Sequence, residues 1–165
     1  MVEEKFGLET LDDLIESTSL KSGGSYTAVG TYPHEEMVNL VIRLGELKNI
    51  PISDLLNAFG HHLFDTFYKN YPGFFTGVSH PFDLLEQIDN HIHVEVKKLY
   101  PDAELPRFET HRHEDSMTMI YRSDRKMADL ALGLIEASAK KFNTPLNIET
   151  TLLKEDGSEV QFKIS

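Results

Sequence analysis

The chain has 165 residues, a formal net charge of −11 and no cysteine. This length is typical of a single domain, here residues 1–165, with a core large enough to enclose a ligand. The negative charge argues against nucleic acid or anionic lipid as a partner, and the lack of cysteine excludes disulfides and thiolate metal ligands. No apolar run reaches the roughly 18 residues of a membrane span. We therefore expect a cytoplasmic domain.

The first half of the chain carries apolar residues at helical spacing. They predict helices near residues 8–15, 33–47 and 53–68. Residues 71–79 contain Pro72, Gly73 and Gly77 and are typical of a linker. One longer continuous helix is predicted from Pro81 to Tyr100, because Pro101 disfavours helical backbone before it.

The second half changes to strand-like alternation. Strands are predicted at Arg107–His113 and Ser116–Arg122, joined as a hairpin. A helix is predicted at Lys126–Phe142, followed by a second hairpin of Leu146–Leu153 and Glu159–Ile164, which turns across Glu155-Asp156-Gly157. This order of elements predicts an α+β fold, in which helices cover an antiparallel sheet.

Two features suggest a cofactor site. His93 lies on the Pro81–Tyr100 helix, and its imidazole can ligate a metal. Tyr121, Ser123 and Arg125 alternate, so on a strand they would stand in a row with neighbours roughly 6–7 Å apart. Two hydroxyls and a guanidinium fork can hold a pair of carboxylates. A helix predicted to begin just after Ser123 or Asp124 would add free backbone N–H groups.

Simpler interpretations exist for each residue. Without further support, His93 is more often a half-exposed polar side chain, because it lies off the main apolar stripe of its helix. Tyr-x-Ser-x-Arg alone is a weak pattern that also fits a strand end with a surface ion pair. His111 and His113 share one face of a predicted strand and could chelate a metal, although an exposed hairpin face is the more common arrangement.

The motifs together resemble a known family. Asp89, His93, the run Leu105-Pro106-Arg107-Phe108 and Tyr121-x-Ser123-x-Arg125 occur in the order and spacing of the haem nitric oxide/oxygen-binding (H-NOX) domain. That domain is the bacterial relative of the sensor domain of soluble guanylate cyclase. The resemblance covers nearly the whole chain.

The resemblance implies a site and an architecture. His93 would be the axial metal ligand of haem b, and Pro106 would press on the porphyrin. Tyr121, Ser123 and Arg125 would hold its propionates. The implied H-NOX fold has a helical distal part (about residues 1–71) and a proximal part of antiparallel sheet with helices (about residues 72–165), with haem between them. Residues 1–7 resemble only the end of the family's apolar first helix, so a shortened first helix is expected.

The distal side of the implied pocket is apolar. Some family members carry a distal tyrosine, and the matching position here is Leu130. A second polar distal position falls on Leu63, and Leu134 and Phe67 complete the expected lining. Oxygen on ferrous haem gains from a hydrogen-bond donor, whereas nitric oxide needs little such help. We therefore expect a nitric oxide sensor that binds oxygen weakly or not at all, with carbon monoxide as a further gas ligand.

The expected output is a signal rather than a reaction. The chain leaves no room for a catalytic output module, and the family implies a separate partner, either a histidine kinase or a cyclic di-GMP enzyme. The alternatives are a haem enzyme of oxygenase or peroxidase type, a metal hydrolase using His111 and His113, and a haem-free interaction module. The enzymes are disfavoured because leucines occupy the expected distal side and no common catalytic motif is present.

Overall fold

The computed structural model describes residues 1–27 and 30–165. Its amino-terminal half is helical. Among the described residues before residue 76 there are four helices and one short 3-10 turn: α1 Val2–Phe6, α2 Leu8–Ser17, α3 His34–Lys48, α4 Ile52–Asn70, and the turn Pro72–Phe75. Within the described residues, no helix is both long and apolar enough to cross a membrane.

The carboxy-terminal half combines helices with a sheet. Its elements in chain order are α5 Pro81–Glu86, a π-helical segment Ile88–Ile92, α6 His93–Leu99, β1 Arg107–Arg112, β2 Met117–Arg122, α7 Ala128–Lys141, β3 Ile148–Leu152 and β4 Glu159–Ile164. The described strands form one antiparallel sheet in the order β1-β2-β4-β3. The predicted α+β class and both predicted hairpins are confirmed.

One face of the sheet forms the main core. On β2, Met117, Met119 and Tyr121 are buried while the residues between them are partly exposed, which is the period of two expected for a half-buried strand. Val160 and Phe162 of β4 are fully buried beside them. Phe82, Leu85, Ala131 and Ile135 cover this face, so α5 and α7 pack on the sheet.

Helices α4 and α7 touch through their backbones. A Cβ atom added to Gly60 would lie 2.4 Å from the carbonyl oxygen of Leu130, and one added to Gly133 would lie 2.1 Å from that of Asn57. No side chain fits at either position. The crossing fixes α4, from the helical half, directly against α7, which packs on the sheet.

The predicted continuous helix from Pro81 to Tyr100 is wrong in detail. Helix α5 ends at Glu86, the π-helical segment follows, and α6 begins at His93. The backbone N–H groups of His91 and Ile92 both donate to the carbonyl of Gln87, at 2.9 and 3.0 Å. The bond from Ile92 spans five residues instead of four, so the helical turn immediately before His93 is wider than an α-helical turn.

The glycine crossing yields a stability prediction. Gly133→Ala should lower the free energy of unfolding by roughly 1–3 kcal/mol, the usual cost of overpacking, even though alanine favours helices more than glycine does. The measurement is urea denaturation followed by circular dichroism. Gly73→Ala is the matched control, because a Cβ there meets nothing within 4 Å. Equal midpoints for the two variants would contradict the close approach.

Candidate functional site

His93 stands at a helical irregularity. It is the first residue of α6, and its N–H donates to the carbonyl of Ile88, five residues back. π-Turns of this kind often occur at functional sites, because they change the direction in which side chains leave the helix. The side chain of His93 is 18% exposed, so part of it remains accessible to solvent.

Asp89 holds His93 from one side and the sheet from the other. Its Oδ1 lies 2.9 Å from Nδ1 of His93, and its Oδ2 accepts the backbone N–H of Phe108 at 2.9 Å. With Nδ1–H donating to a carboxylate, the lone pair of the imidazole is on Nε2. This carboxylate–histidine pair is the usual support of a metal-ligating histidine.

The environment keeps His93 neutral. Burial lowers the pKa of His93 below its ordinary value of 6.5, and the charge and hydrogen bond of Asp89 oppose this shift only in part. Metal ligation requires the unprotonated ring. At neutral pH the side chain is therefore in the protonation state that a metal needs.

A phenylalanine connects His93 to the sheet. The ring of Phe108 lies 6.0 Å from that of His93 and 5.7 Å from that of Tyr121, measured between centroids. Tyr121 is 2% exposed, and its hydroxyl oxygen accepts the backbone N–H of Met127 at 2.8 Å. The predicted ligand histidine and the predicted tyrosine therefore contact the same aromatic ring.

The predicted strand row of Tyr121, Ser123 and Arg125 is wrong. Strand β2 ends at Arg122, and the chain then turns. The hydroxyl of Ser123 accepts the N–H of Arg125 at 3.2 Å, and its carbonyl accepts that of Lys126, also at 3.2 Å. Helix α7 begins only at Ala128. Ser123 and Arg125 are therefore held relative to each other by a turn, which the strand periodicity did not reveal.

Arg125 carries an unmet donor. Its Nε is buried without a hydrogen-bond partner, the only such side-chain atom among the described residues. Its Nη2 lies 3.3 Å from Oε2 of Glu104. A buried unpaired donor costs roughly 1–3 kcal/mol, so an incoming carboxylate would gain from this edge of the guanidinium. This supports the predicted anion-binding role.

The predicted distal residues lie on the two crossing helices. Leu63 and Phe67 belong to α4, and Leu130 and Leu134 to α7. The backbone of Leu130 is the one that approaches Gly60. Three of the four side chains are half-buried, whereas Phe67 is 38% exposed.

Leu134 connects this region to the histidine segment. It packs against a cluster of Phe64, Leu84 and Ala137, which Ile92 also contacts. Ile92 directly precedes His93 in the chain. Pro106 is half-buried in the segment between α6 and β1, two residues before Phe108.

Two other polar regions do not join this site. A groove of about 780 Å³ lies along α1, α4 and α7, but none of the predicted site residues line it. His111 is 57% exposed and contacts Glu109, with Nε2 and Oε1 2.8 Å apart. Across residues 1–27 and 30–165, no group of three histidine or acidic residues could hold a metal ion.

The sequence motif included Asp89 and Phe108 without a role for either, and it did not include Glu104. The role of Asp89 could have been predicted, since a carboxylate four residues before a histidine shares its helix face. Phe108 and Glu104 have no local signal, because their contacts depend on how the segment after α6 meets the sheet. Together with His93 and Arg125, these residues offer a neutral imidazole and a guanidinium with one unpaired donor, and a haem would need donors of these two kinds.

Comparison with known proteins agrees with this chemistry. The family model for haem–NO-binding domains (HNOB) matches residues 1–150. The Fe(II) unliganded H-NOX protein of K. algicida is 43% identical with a TM-score of 0.93, over 99% of this chain and 89% of that chain. Comparison with curated proteins gives no match.

Two Shewanella structures extend the comparison. The IWP-051-bound H-NOX of Shewanella woodyi in the Fe(II)CO state is 40% identical with a TM-score of 0.84, over 99% and 87% of the two chains. The H-NOX of S. oneidensis in the Fe(II)NO state is 24% identical, so its TM-score of 0.90 over 100% and 92% shows the shared fold.

The family match and the shared fold thus define a haem-based gas-sensor domain. The chain belongs to the haem–NO-binding, or H-NOX, family.

The contact between Asp89 and His93 gives a pH prediction. Asp89→Asn removes a charge that raises the pKa of His93, so in the haem-free protein that pKa should fall further below 6.5. The imidazole then stays neutral to lower pH than in the parent protein. Proton NMR titration of the histidine ring resonances is the measurement, and the change should be confined to His93. An unchanged or higher His93 pKa would refute the electrostatic coupling.

Proposed function

We propose that this protein is a nitric oxide sensor, which holds haem b through His93, binds oxygen weakly or not at all, and passes its signal to a separate effector protein. The observation that carries the proposal is the arrangement of His93 and Asp89, with Arg125 and its unpaired Nε on the loop beyond Tyr121.

The side chains of the proposed site offer one iron ligand and several hydrogen-bond donors for the propionates of a porphyrin. In this proposal His93 ligates the iron through Nε2 while Asp89 holds Nδ1. The hydroxyls of Tyr121 and Ser123 each accept a backbone N–H, so each retains its own hydrogen for a propionate. Arg125 adds a charged donor. Pro106 is rigid and half-buried, which suits its proposed contact with the porphyrin face.

The apolar residues set the proposed gas preference. The bound haem, held by His93, would supply an iron that can bind a diatomic gas. Leu63, Phe67, Leu130 and Leu134 carry no side-chain hydrogen-bond donor. Oxygen, which gains from such a donor, should bind weakly, whereas nitric oxide and carbon monoxide should not need one.

The relay is proposed to run through Asp89. A displacement of His93 alters the position of this carboxylate, whose other oxygen accepts the N–H of Phe108 at the start of β1. Movement at the histidine would thus reach the sheet through two hydrogen bonds. The effector would be a histidine kinase or a cyclic di-GMP enzyme that reads this change.

The primary test is spectroscopic. The reduced, haem-loaded protein should show a Soret band that shifts on addition of nitric oxide and stays unchanged in air-saturated buffer before oxidation. His93→Gly should lose the band, or regain it only with added imidazole. A colourless protein after haem loading, or a stable oxygen complex in air, would contradict the proposal.

A paired substitution tests the gas preference. Leu130→Tyr adds a hydroxyl donor to the proposed distal side and should strengthen oxygen binding by tenfold or more, since a hydrogen bond to a charged group contributes about 1.5–3 kcal/mol. Leu130→Phe supplies the same ring without the hydroxyl and should leave oxygen affinity low. Oxygen titration of the reduced protein measures both. Equal affinities in the two variants would remove Leu130 from the proposed lining.

Hydrogen exchange tests the relay. Addition of nitric oxide should change amide exchange in α6 and in β1, and Asp89→Ala should abolish the change in β1 while leaving that in α6. Exchange that is identical with and without the gas would exclude the relay.

The enzyme alternative makes a different prediction, namely turnover of a peroxidase substrate at rates well above those of free haem.

A further inference from the structure

Glu104 contacts the edge of Arg125 that the proposed ligand needs. Its Oε2 lies 3.3 Å from Nη2 of Arg125. Nη2 and Nε are the two donors along one edge of the guanidinium, and Nε is the buried atom without a partner. Glu104 therefore uses half of a two-donor edge and leaves the other half unsatisfied.

We infer that Glu104 is a built-in competitor for the carboxylate site of Arg125, holding the guanidinium in the haem-free protein and yielding it to a carboxylate of the ligand. This inference rests on the proposed haem site. Glu104 would then lower the affinity for the ligand without contacting the ligand itself.

The exposure of the two partners supports this exchange. The side chain of Glu104 is 81% exposed, so it can turn into solvent without disturbing any packing. The side chain of Arg125 is 35% exposed, and the Ser123 hydroxyl fixes its backbone. Arg125 stays in place while Glu104 is free to leave.

The geometry also favours the incoming group. A carboxylate aligned with both Nε and Nη2 makes two parallel hydrogen bonds, whereas Glu104 makes one that is long for a charged pair. Exposed ion pairs contribute little to stability. The competitor is therefore weak enough to be displaced, yet it lowers the affinity of every carboxylate that binds there.

The position of Glu104 in the chain keeps it near Arg125. It lies in the segment between α6 and β1, two residues before Pro106, and proline restricts Leu105 to extended backbone. The same segment leads to Phe108, which Asp89 anchors. The carboxylate is thus presented by a restrained segment rather than by a free loop.

The test compares haem dissociation constants. Glu104→Gln should bind iron-protoporphyrin IX roughly two- to fivefold more tightly than the parent protein, as expected when a surface ion pair no longer competes. Affinity is measured by titration of the haem-free protein and by haem transfer to excess apomyoglobin. Glu46→Gln is the matched control, because Glu46 pairs with Arg43, whose 36% exposure is close to that of Arg125. This control should leave affinity unchanged.

Two further comparisons isolate the carboxylate. The gain should vanish with the dimethyl ester of the porphyrin, which has no free carboxylate, and it should vanish in an Arg125→Gln background. A gain that persists in either case, or that Glu46→Gln reproduces, overturns the inference. If the parent protein binds haem and Glu104→Gln binds it with the same affinity, this inference alone is overturned. Parent protein that binds no haem overturns the proposed function and this inference with it.

A readout without iron completes the test. In the haem-free protein, sodium propionate should perturb the NMR signal of the Arg125 Nε–H at lower concentration in Glu104→Gln than in the parent protein. Circular dichroism confirms that both proteins are folded. An equal response in both would show that Glu104 does not compete at Arg125.

Discussion

The site depends on one carboxylate with both oxygens committed. Asp89 accepts from the imidazole of His93 with one oxygen and from the backbone of Phe108 with the other. The first contact fixes the ring and its tautomer, and the second fixes where β1 begins relative to α6. The two oxygens of Asp89 belong to one rigid, planar group. A change in its hydrogen bond to His93 therefore also changes its hydrogen bond to Phe108. The histidine and the sheet are therefore positioned by one group.

The negative charge of the chain limits how the proposed site can attract an anionic ligand. With a net charge of −11, the protein as a whole repels a dianionic ligand. Attraction must come from local donors, and the described residues contain one buried side-chain donor without a partner, on Arg125. Surface acids occupy most other arginines, such as Arg112 with Asp83 and Glu86. Arg125 is also paired, with Glu104, but its Nε stays unpaired, so one donor remains for the proposed ligand.

Local pattern predicted most of the fold. The alternation on β2 and the turn residues at Glu155-Asp156-Gly157 were enough for both hairpins, because each is set by neighbours in sequence. The π-helical segment was missed, since its residues also fit an α-helical pattern. The end of β2 at Arg122 was predicted, but the expected row of Tyr121, Ser123 and Arg125 assumed that strand geometry continues past it. Instead Ser123 turns the chain through its own side-chain hydrogen bond, which period-two alternation does not reveal. Glu104 and Phe108 depend on contacts between distant segments, which no periodicity encodes.

The wider turn before His93 has a consequence for how this chain can change over generations. An α-helix advances about 100° per residue, and the π-helical segment Ile88–Ile92 accommodates one residue more than α-helical spacing allows. Because the wider turn takes up this extra residue within one turn, deleting one residue of the segment would restore regular α-helical spacing while α5 and α6 keep their relative rotation. This segment is therefore the place where the helix can lose one residue and still present His93 in the same direction.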